Sequence, residues 1–295
     1  MKITTAGSLG NVAKPLVEKL LAAGHQLTVI TSNADHQGEI EALGAVAAVG
    51  SISDAGFLTQ AFDGAEAVFA MLPPAMGATN LLDNIAAAGQ AYAQAIAAAG
   101  VPRVVLLSSV GADAAAGTGP IQGVHRVEQA FRQLTGVGVT VLRSGFFYVN
   151  FLRDIPLIKS QNLFGNNYGG DTPLALTHPQ DVAAAAAQEL QTAGHGYGVK
   201  YVVGAVATGQ ELAALFGAAI GKPDLAWTVI PDEQLQQGLL AAGTPAELVG
   251  LITEMGQGVR AGRITQDFFA HGAPVTGPTK LAEFAQEFKA RYEQA

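Results

Sequence analysis

The chain contains no cysteine. Disulfides, thiolate metal sites and thiol nucleophiles are therefore excluded. Charge is scarce too. Only 14% of the 295 residues are Asp, Glu, Lys or Arg, and the formal net charge is −8. An acidic chain with scattered lysines and arginines lacks the electrostatic footprint of a nucleic-acid binder. The six histidines, at 25, 36, 125, 178, 195 and 271, sit at no ligand-like spacing, so no metal site is expected. No apolar run approaches the roughly 18–20 residues that span a bilayer. The alanine-rich tract Val182 to Ala187 is far shorter. No charged-then-apolar leader precedes the first strand. A soluble, cytoplasmic protein without a membrane partner is expected.

What is present is apolar residue, 49% of the chain, enough for a sizeable core. Lys2 to Ala6 reads as a strand, Gly7-Ser8-Leu9-Gly10 as a tight turn, and Asn11 to Ala23 as a helix. Strand, glycine turn and helix in that order place phosphates on a helix N-terminus. Further strands are expected at 26–31, 45–49, 66–72, 103–107 and 138–142, with helices between them, including 80–99 and 124–135. Ser53-Asp54 reads as a helix cap. The apolar run in 103–107 is continuous, as strands buried on both faces require. This alternation predicts an α/β protein: a Rossmann-like doubly wound parallel sheet with a smaller, mostly helical C-terminal region. The domains are read as 1–150, binding a dinucleotide, and 151–295, covering the substrate, with some later segments returning to the main sheet. In that later half, strands are expected at 200–203 and 226–230. Helices are expected at 179–191, at 208–220 with a threonine cap, and at 279–292. A ligand crevice then lies at the carboxyl ends of the strands, facing 7–11, 31–36, 71–76, 108–113 and 143–150.

Aligned on its last two glycines, the turn has Thr4 where a first glycine is usual. Gly7 would let the backbone approach a pyrophosphate, and Gly10 would let the helix pack against the strand. Other stretches resemble one family. His25 precedes a TxIT strand. Val104-Val105-Leu106-Leu107-Ser108-Ser109 looks like its fifth strand, and His125-Arg126-Val127-Glu128 like its following helix. Arg143-Ser144-Gly145-Phe146-Phe147-Tyr148-Val149-Asn150 is close to an LRPGFFxxN signature, with Ser144 in place of proline. Pro179-Gln180-Asp181-Val182-Ala183 matches a later helix. On these motifs the chain resembles the NmrA-like group of atypical short-chain dehydrogenase/reductases, well over 1–190 and loosely beyond. The resemblance implies NAD(P)H-dependent quinone or isoflavone-type reduction on one side, and dinucleotide-sensing regulators on the other.

The cofactor-binding candidates are Thr5, Ala6, Gly7, Ser8, Leu9, Gly10, Ser32, Asn33, Met71, Leu72, Pro73 and Ser108. No carboxylate stands at Thr31-Ser32-Asn33 to bind a ribose hydroxyl, although Asp35 is near, and no arginine stands there for a 2′-phosphate. NADP is therefore favoured slightly over NAD. None of the six tyrosines has a lysine four residues later, so the Tyr-x-x-x-Lys dyad of typical relatives is absent. Hydride transfer to an electron-poor quinone can proceed by proximity and orientation with little acid help. His125 and Tyr148 are the candidate proton donors. Phe146, Phe147 and Tyr148, with Phe164, could form a slot for a flat substrate, although such aromatics are commonly core. Asp181 is read as capping or orienting its helix, and Arg143 as a buried ion-pair partner. Two functions stay open. One is an NAD(P)H-dependent reductase of quinones or small carbonyls. The other is a non-catalytic NAD(P) sensor that binds a protein partner.

Overall fold

The computed structural model describes residues 1–72 and 79–295. The strands are β1 (Lys2–Ala6), β2 (Gln26–Thr31), β3 (Val46–Val49), β4 (Ala67–Ala70), β5 (Arg103–Ser109), β6 (Gly138–Ser144), β7 (Phe146–Phe147), β8 (Phe164–Asn166), β9 (Pro173–Thr177), β10 (Tyr197–Val202), β11 (Ala205–Thr208) and β12 (Trp227–Val229). The helices are α1 (Ala13–Ala22), α2 (Gln37–Ala42), α3 (Ala55–Ala61), α4 (Leu81–Ala99), α5 (Ile121–Arg132), α6 (Ile155–Gln161), α7 (Pro179–Leu190), α8 (Gly209–Ala219), α9 (Asp232–Ala241), α10 (Ala246–Arg260), α11 (Gln266–Ala270) and α12 (Leu281–Gln294). Seven strands form one parallel sheet in the order β10-β6-β5-β4-β1-β2-β3. The doubly wound α/β architecture is thus present, and its seventh strand comes from residues 197–202.

The helical faces explain the two layers. In α1 the buried residues Ala13, Leu16, Val17 and Leu20 recur at helical spacing. They pack with α7 and one face of the sheet, including Ile3, Val29, Phe69 and Val105. Each such leucine contributes about 2 kcal/mol by leaving water. On the opposite face, Leu58 of α3, Tyr92 and Ile96 of α4, and Val127 and Phe131 of α5 cover Val68, Val104 and Val141. Asp54 caps α3, accepting from the Gly56 and Phe57 N–H groups at 2.9 and 3.0 Å. The cap expected at 53–54 is therefore present. Gly100 ends α4 in the left-handed conformation, φ 66°, where a Cβ would be strained.

Beyond β6 the chain builds a separate core. Phe151, Phe164, Phe216, Phe284 and Phe288 interlock there, with Phe216 and Phe288 stacked at 4.5 Å between ring centroids. β11-β9-β7 form a small sheet, and β12, within the strand expected at 226–230, pairs with β8. Thr208 and Glu211 close a capping box on α8, as the threonine there suggested. The α7 cap is different from the one expected. His178, rather than Asp181, accepts from the Gln180 N–H at 3.2 Å. Asp181 instead clamps the segment before α12, accepting from the Thr279 hydroxyl at 2.6 Å and its N–H at 3.2 Å.

One helix of this later region bridges the heads of α4 and α5. Leu248 and Leu251 of α10 pack on Leu81 and Ile85. Glu247 accepts from the backbone N–H groups of Asn80 and Leu81, both at 2.7 Å. Gln122 of α5 donates to Glu254 at 2.9 Å. Because helices that follow parallel strands begin at the strands' carboxyl ends, α10 lies beside the crevice.

Candidate functional site

The turn after β1 carries the most constrained backbone in the crevice. Gly7 has φ 106°, and Ser8 follows at φ 53°. Two consecutive positive-φ residues turn the chain sharply between β1 and α1. The Ser8 N–H is spent on Ile30 O at 3.1 Å, and the Gly10 N–H on Gly7 O at 3.2 Å. Among the described residues, the N–H groups of Leu9 and Asn11 meet no backbone acceptor. They stand at the head of α1, where the helix dipole favours negative charge. Residues of this kind fit the pyrophosphate of a dinucleotide.

A Cβ on Gly7 would collide with the Met71 thioether. Met71 and the turn, both read from the sequence as cofactor-binding, are thus in contact. Tyr92 of α4, fully buried, donates from its hydroxyl to Met71 O at 3.2 Å and holds the end of β4 in place. Leu72 is half-buried beside it and packs with the α3–α5 layer. Pro73 lies outside the described residues. Gly10 does not play the part expected of it. It is exposed, and a Cβ there would meet only Gly7 O at 3.4 Å, with no atom of the strand within reach. Thr5 and Ala6 are buried strand residues whose side chains face the protein interior, at 0% and 1% exposure.

At the end of β2, Ser32 and Asn33 are exposed. The Asn33 side-chain oxygen accepts from the Asp35 N–H at 2.9 Å and caps a 3-10 turn, Ala34–His36. That turn delivers His36 to the glycine turn, where its Nδ1 pairs with Ser8 Oγ at 2.7 Å. No role for His36 is legible in the sequence alone. The available signal was a histidine just past β2 together with a serine inside the glycine turn.

At the ends of β5 and β6 the structure separates the remaining candidates. Ser108 is buried, and its hydroxyl donates to Glu128 at 2.5 Å. Glu128 is wholly buried and pairs with Arg143 through both oxygens, at 3.0 and 2.8 Å. Arg143 also reaches Asp267 at 2.9 Å. Burial alone would lower its guanidinium, but Glu128 and Tyr201 together hold it above its usual range. The expected buried ion pair at Arg143 is present. Ser108 belongs to that network, so its hydroxyl is not offered to a dinucleotide.

Tyr148 is also corrected. It is 0% exposed and packs against Phe284 and His178 in the later core. Its hydroxyl donates to Thr279 O at 3.3 Å, and burial with Asp181 and Glu283 nearby pushes the phenol up to about 12. It cannot serve as an acid or a substrate contact in the crevice. Phe164, 1% exposed, is likewise core. Phe147 is half-buried against the α1–α7 layer. Phe146 remains, 40% exposed, its ring 5.3 Å from Phe151 at the end of an aromatic series that continues through Phe164 and Trp227. His125 is half-buried, and its Nδ1 lies 2.8 Å from Ala112 O. A carbonyl only accepts, so Nδ1 carries a proton, and Nε2 of the neutral ring is an acceptor.

A cavity of about 840 Å³ lies elsewhere, along the outer edge of β10, lined by Arg143, Asp181, Lys200, Tyr201 and Asp267 among others. None of the turn residues reaches it. Among the described residues no cluster of His, Asp or Glu could hold a metal ion, and no helix is long and apolar enough to cross a membrane.

Residues 1–284 match the family model described as the NmrA-like family. The NAD(P)H azoreductase of Xenophilus azovorans is 27% identical over 256 residues, 86% of this chain and 85% of that protein. The (4-alkanoyl-5-oxo-2,5-dihydrofuran-3-yl)methyl phosphate reductase of Streptomyces griseus is 30% identical over 223 residues, 75% of this chain and 74% of that protein. The crystal structure of the NADPH-dependent quinone oxidoreductase of Escherichia coli, complexed with NADPH, superposes with a TM-score of 0.82 at 24% identity. The superposition covers 97% of this chain and 99% of that one.

Proposed function

From the premise that this chain belongs to the NmrA-like family, we propose that it is an NAD(P)H-dependent oxidoreductase that reduces a quinone or a similarly flat, electron-poor dye. The observation that carries this reading is the Gly7-Ser8 turn. It presents the unspent N–H groups of Leu9 and Asn11 at the head of α1, beside Met71. The relatives support it, since those named above are reductases, one an azoreductase that uses NAD(P)H. The cytoplasm, with its pool of reduced nicotinamide, is the compartment this reading requires.

A bound nicotinamide dinucleotide supplies the hydride. The chain's own residues supply position. The Leu9 and Asn11 N–H groups would hold the diphosphate, Met71 would form the wall beside Gly7, and Ser32 and Asn33 would take the adenosine end. Phe146 offers an exposed ring face on which a flat acceptor stacks. Such stacking aligns the acceptor for transfer, and orientation replaces the missing Tyr-Lys dyad as the main source of rate. The acceptor takes one hydride and one proton to become its dihydro form. With Nδ1 fixed on Ala112 O, His125 can give that proton only from Nε2 of the imidazolium. Otherwise the proton comes from water.

Purified protein is mixed with NADPH and a panel of benzoquinones, naphthoquinones and azo dyes, and the nicotinamide absorbance is followed. Oxidation of NADPH that depends on the acceptor is expected. Tight NADPH binding without turnover of any acceptor would favour the dinucleotide-sensing alternative and sink the reductase.

A further inference from the structure

The residues after β2 lack both groups that usually sort nicotinamide dinucleotides. No carboxylate stands at Thr31-Ser32-Asn33 to take the ribose diol, and no arginine stands there to take a 2′-phosphate. What occupies the place is His36. The 3-10 turn capped by Asn33 carries it back to the glycine turn, where Nδ1 meets Ser8 Oγ at 2.7 Å. The ring is half-buried, so one side of it remains open, and no partner of Nε2 is found among the described residues. The charges nearest along the chain are Asp35 on the same turn and Glu39 on α2, which faces Lys14 of α1. The last two are paired with each other at 3.1 Å.

We infer that His36, oriented by Ser8, is the residue that distinguishes a 2′-phosphorylated dinucleotide from its unphosphorylated form. The inference rests on the dinucleotide reading above. Its chemistry is simple. When the Ser8 hydroxyl donates to Nδ1, Nε2 carries the proton and points a donor away from the turn. A phosphate oxygen accepts from that donor as a charged group, whereas a ribose hydroxyl accepts as a neutral one. Charge-assisted hydrogen bonds are roughly twice as strong as neutral ones. Ser8 sits in the same turn as the diphosphate donors, so the ring is registered to the part of the ligand that both dinucleotides share. The selectivity is moderate by design, because a single imidazole lacks the bidentate fork of arginine.

The test is binding, read by calorimetry with NADPH and NADH and by competition with 2′,5′-ADP and 5′-AMP. His36→Ala is expected to weaken NADPH and 2′,5′-ADP about tenfold while leaving NADH and 5′-AMP within about twofold. His36→Arg is expected to restore or exceed the wild-type preference. Equal losses for both dinucleotides in His36→Ala would overturn the assignment, since the ring would then only brace Ser8 and its turn. Unchanged binding of both would overturn it as well. Wild-type protein that binds neither dinucleotide would refute the functional reading itself, a result readily told apart from a loss of selectivity.

Discussion

Gly7 and Gly10 flank the same turn, and replacing each by alanine should have opposite consequences. At Gly7 the backbone has φ 106°, a region closed to L side chains, and the added Cβ would overlap the Met71 thioether. The backbone strain costs about 1–2 kcal/mol. Overpacking adds about 1–3 kcal/mol. Gly7→Ala should therefore lose about 3 kcal/mol, a large share of the roughly 5–15 kcal/mol that holds a domain together. The thioether is the flexible end of its side chain. Met71→Ala in the same background should recover the packing part and leave the backbone part, so the two substitutions should couple by about 1 kcal/mol or more. At Gly10 the added Cβ meets only Gly7 O at 3.4 Å, and the position is exposed. Gly10→Ala should change stability by about 0.5 kcal/mol or less. Its cost should fall on NADPH affinity, since residue 10 joins Leu9 to Asn11 in the turn proposed to hold the diphosphate. Denaturant melts give the stabilities and calorimetry gives the affinity. If Gly10→Ala destabilises as much as Gly7→Ala, or Gly7→Ala is neutral, the account of the turn is wrong.

Two further substitutions test the reassigned Tyr148 and the carboxyl of Asp154. Tyr148→Phe removes only the 3.3 Å bond to Thr279 O, so it should cost about 1 kcal/mol or less and leave kcat with a quinone unchanged. A hundredfold fall in kcat would restore Tyr148 as the proton donor. Asp154 has its carboxyl pushed up to about 7 by burial, against an ordinary value of 3.8. Between those two pH values the folded chain holds a proton that the unfolded chain has released, so stability falls as pH rises from about 4 to 7 and levels off above. Asp154→Asn should match wild type near pH 4 and melt higher at pH 8. A constant difference across that range would refute the burial of the carboxylate.

The sheet could be read from the sequence because strands buried on both faces are continuous apolar runs, and the glycines and caps between them punctuate locally. Asp54 and Thr208 were legible for that reason: each satisfies N–H groups within three residues. The site was legible only where its chemistry is equally local, as at Gly7 and Ser8. Tyr148 belongs to a recognisable motif, yet whether its ring faces the crevice or the later core is decided by Thr279 and Phe284, some 130 positions away. Ser108 was misread in the same way, because the group that claims its hydroxyl, Glu128, sits on the next helix. Gly10 fits a glycine pattern whose packing rationale this turn does not use. The strand β8 is three residues long, too short for any periodicity to register, whereas β12 falls within the strand expected at 226–230.

The hold of Glu247 on the backbone of Asn80 and Leu81 makes one thermodynamic body of two regions that the chain order separates. On the proposed reading, the head of α4 follows the segment that leaves the Met71 wall of the dinucleotide site, and α10 belongs to the part that would cover the acceptor. A ligand that shifts α10 must break or strain two charge-assisted bonds at α4, and a ligand that fixes the wall strengthens them. By linkage, each ligand then alters the affinity for the other by the same factor. Dinucleotide and acceptor affinities are therefore properties of the pair, to be measured each in the presence of the other, and Glu247→Gln should reduce that mutual dependence.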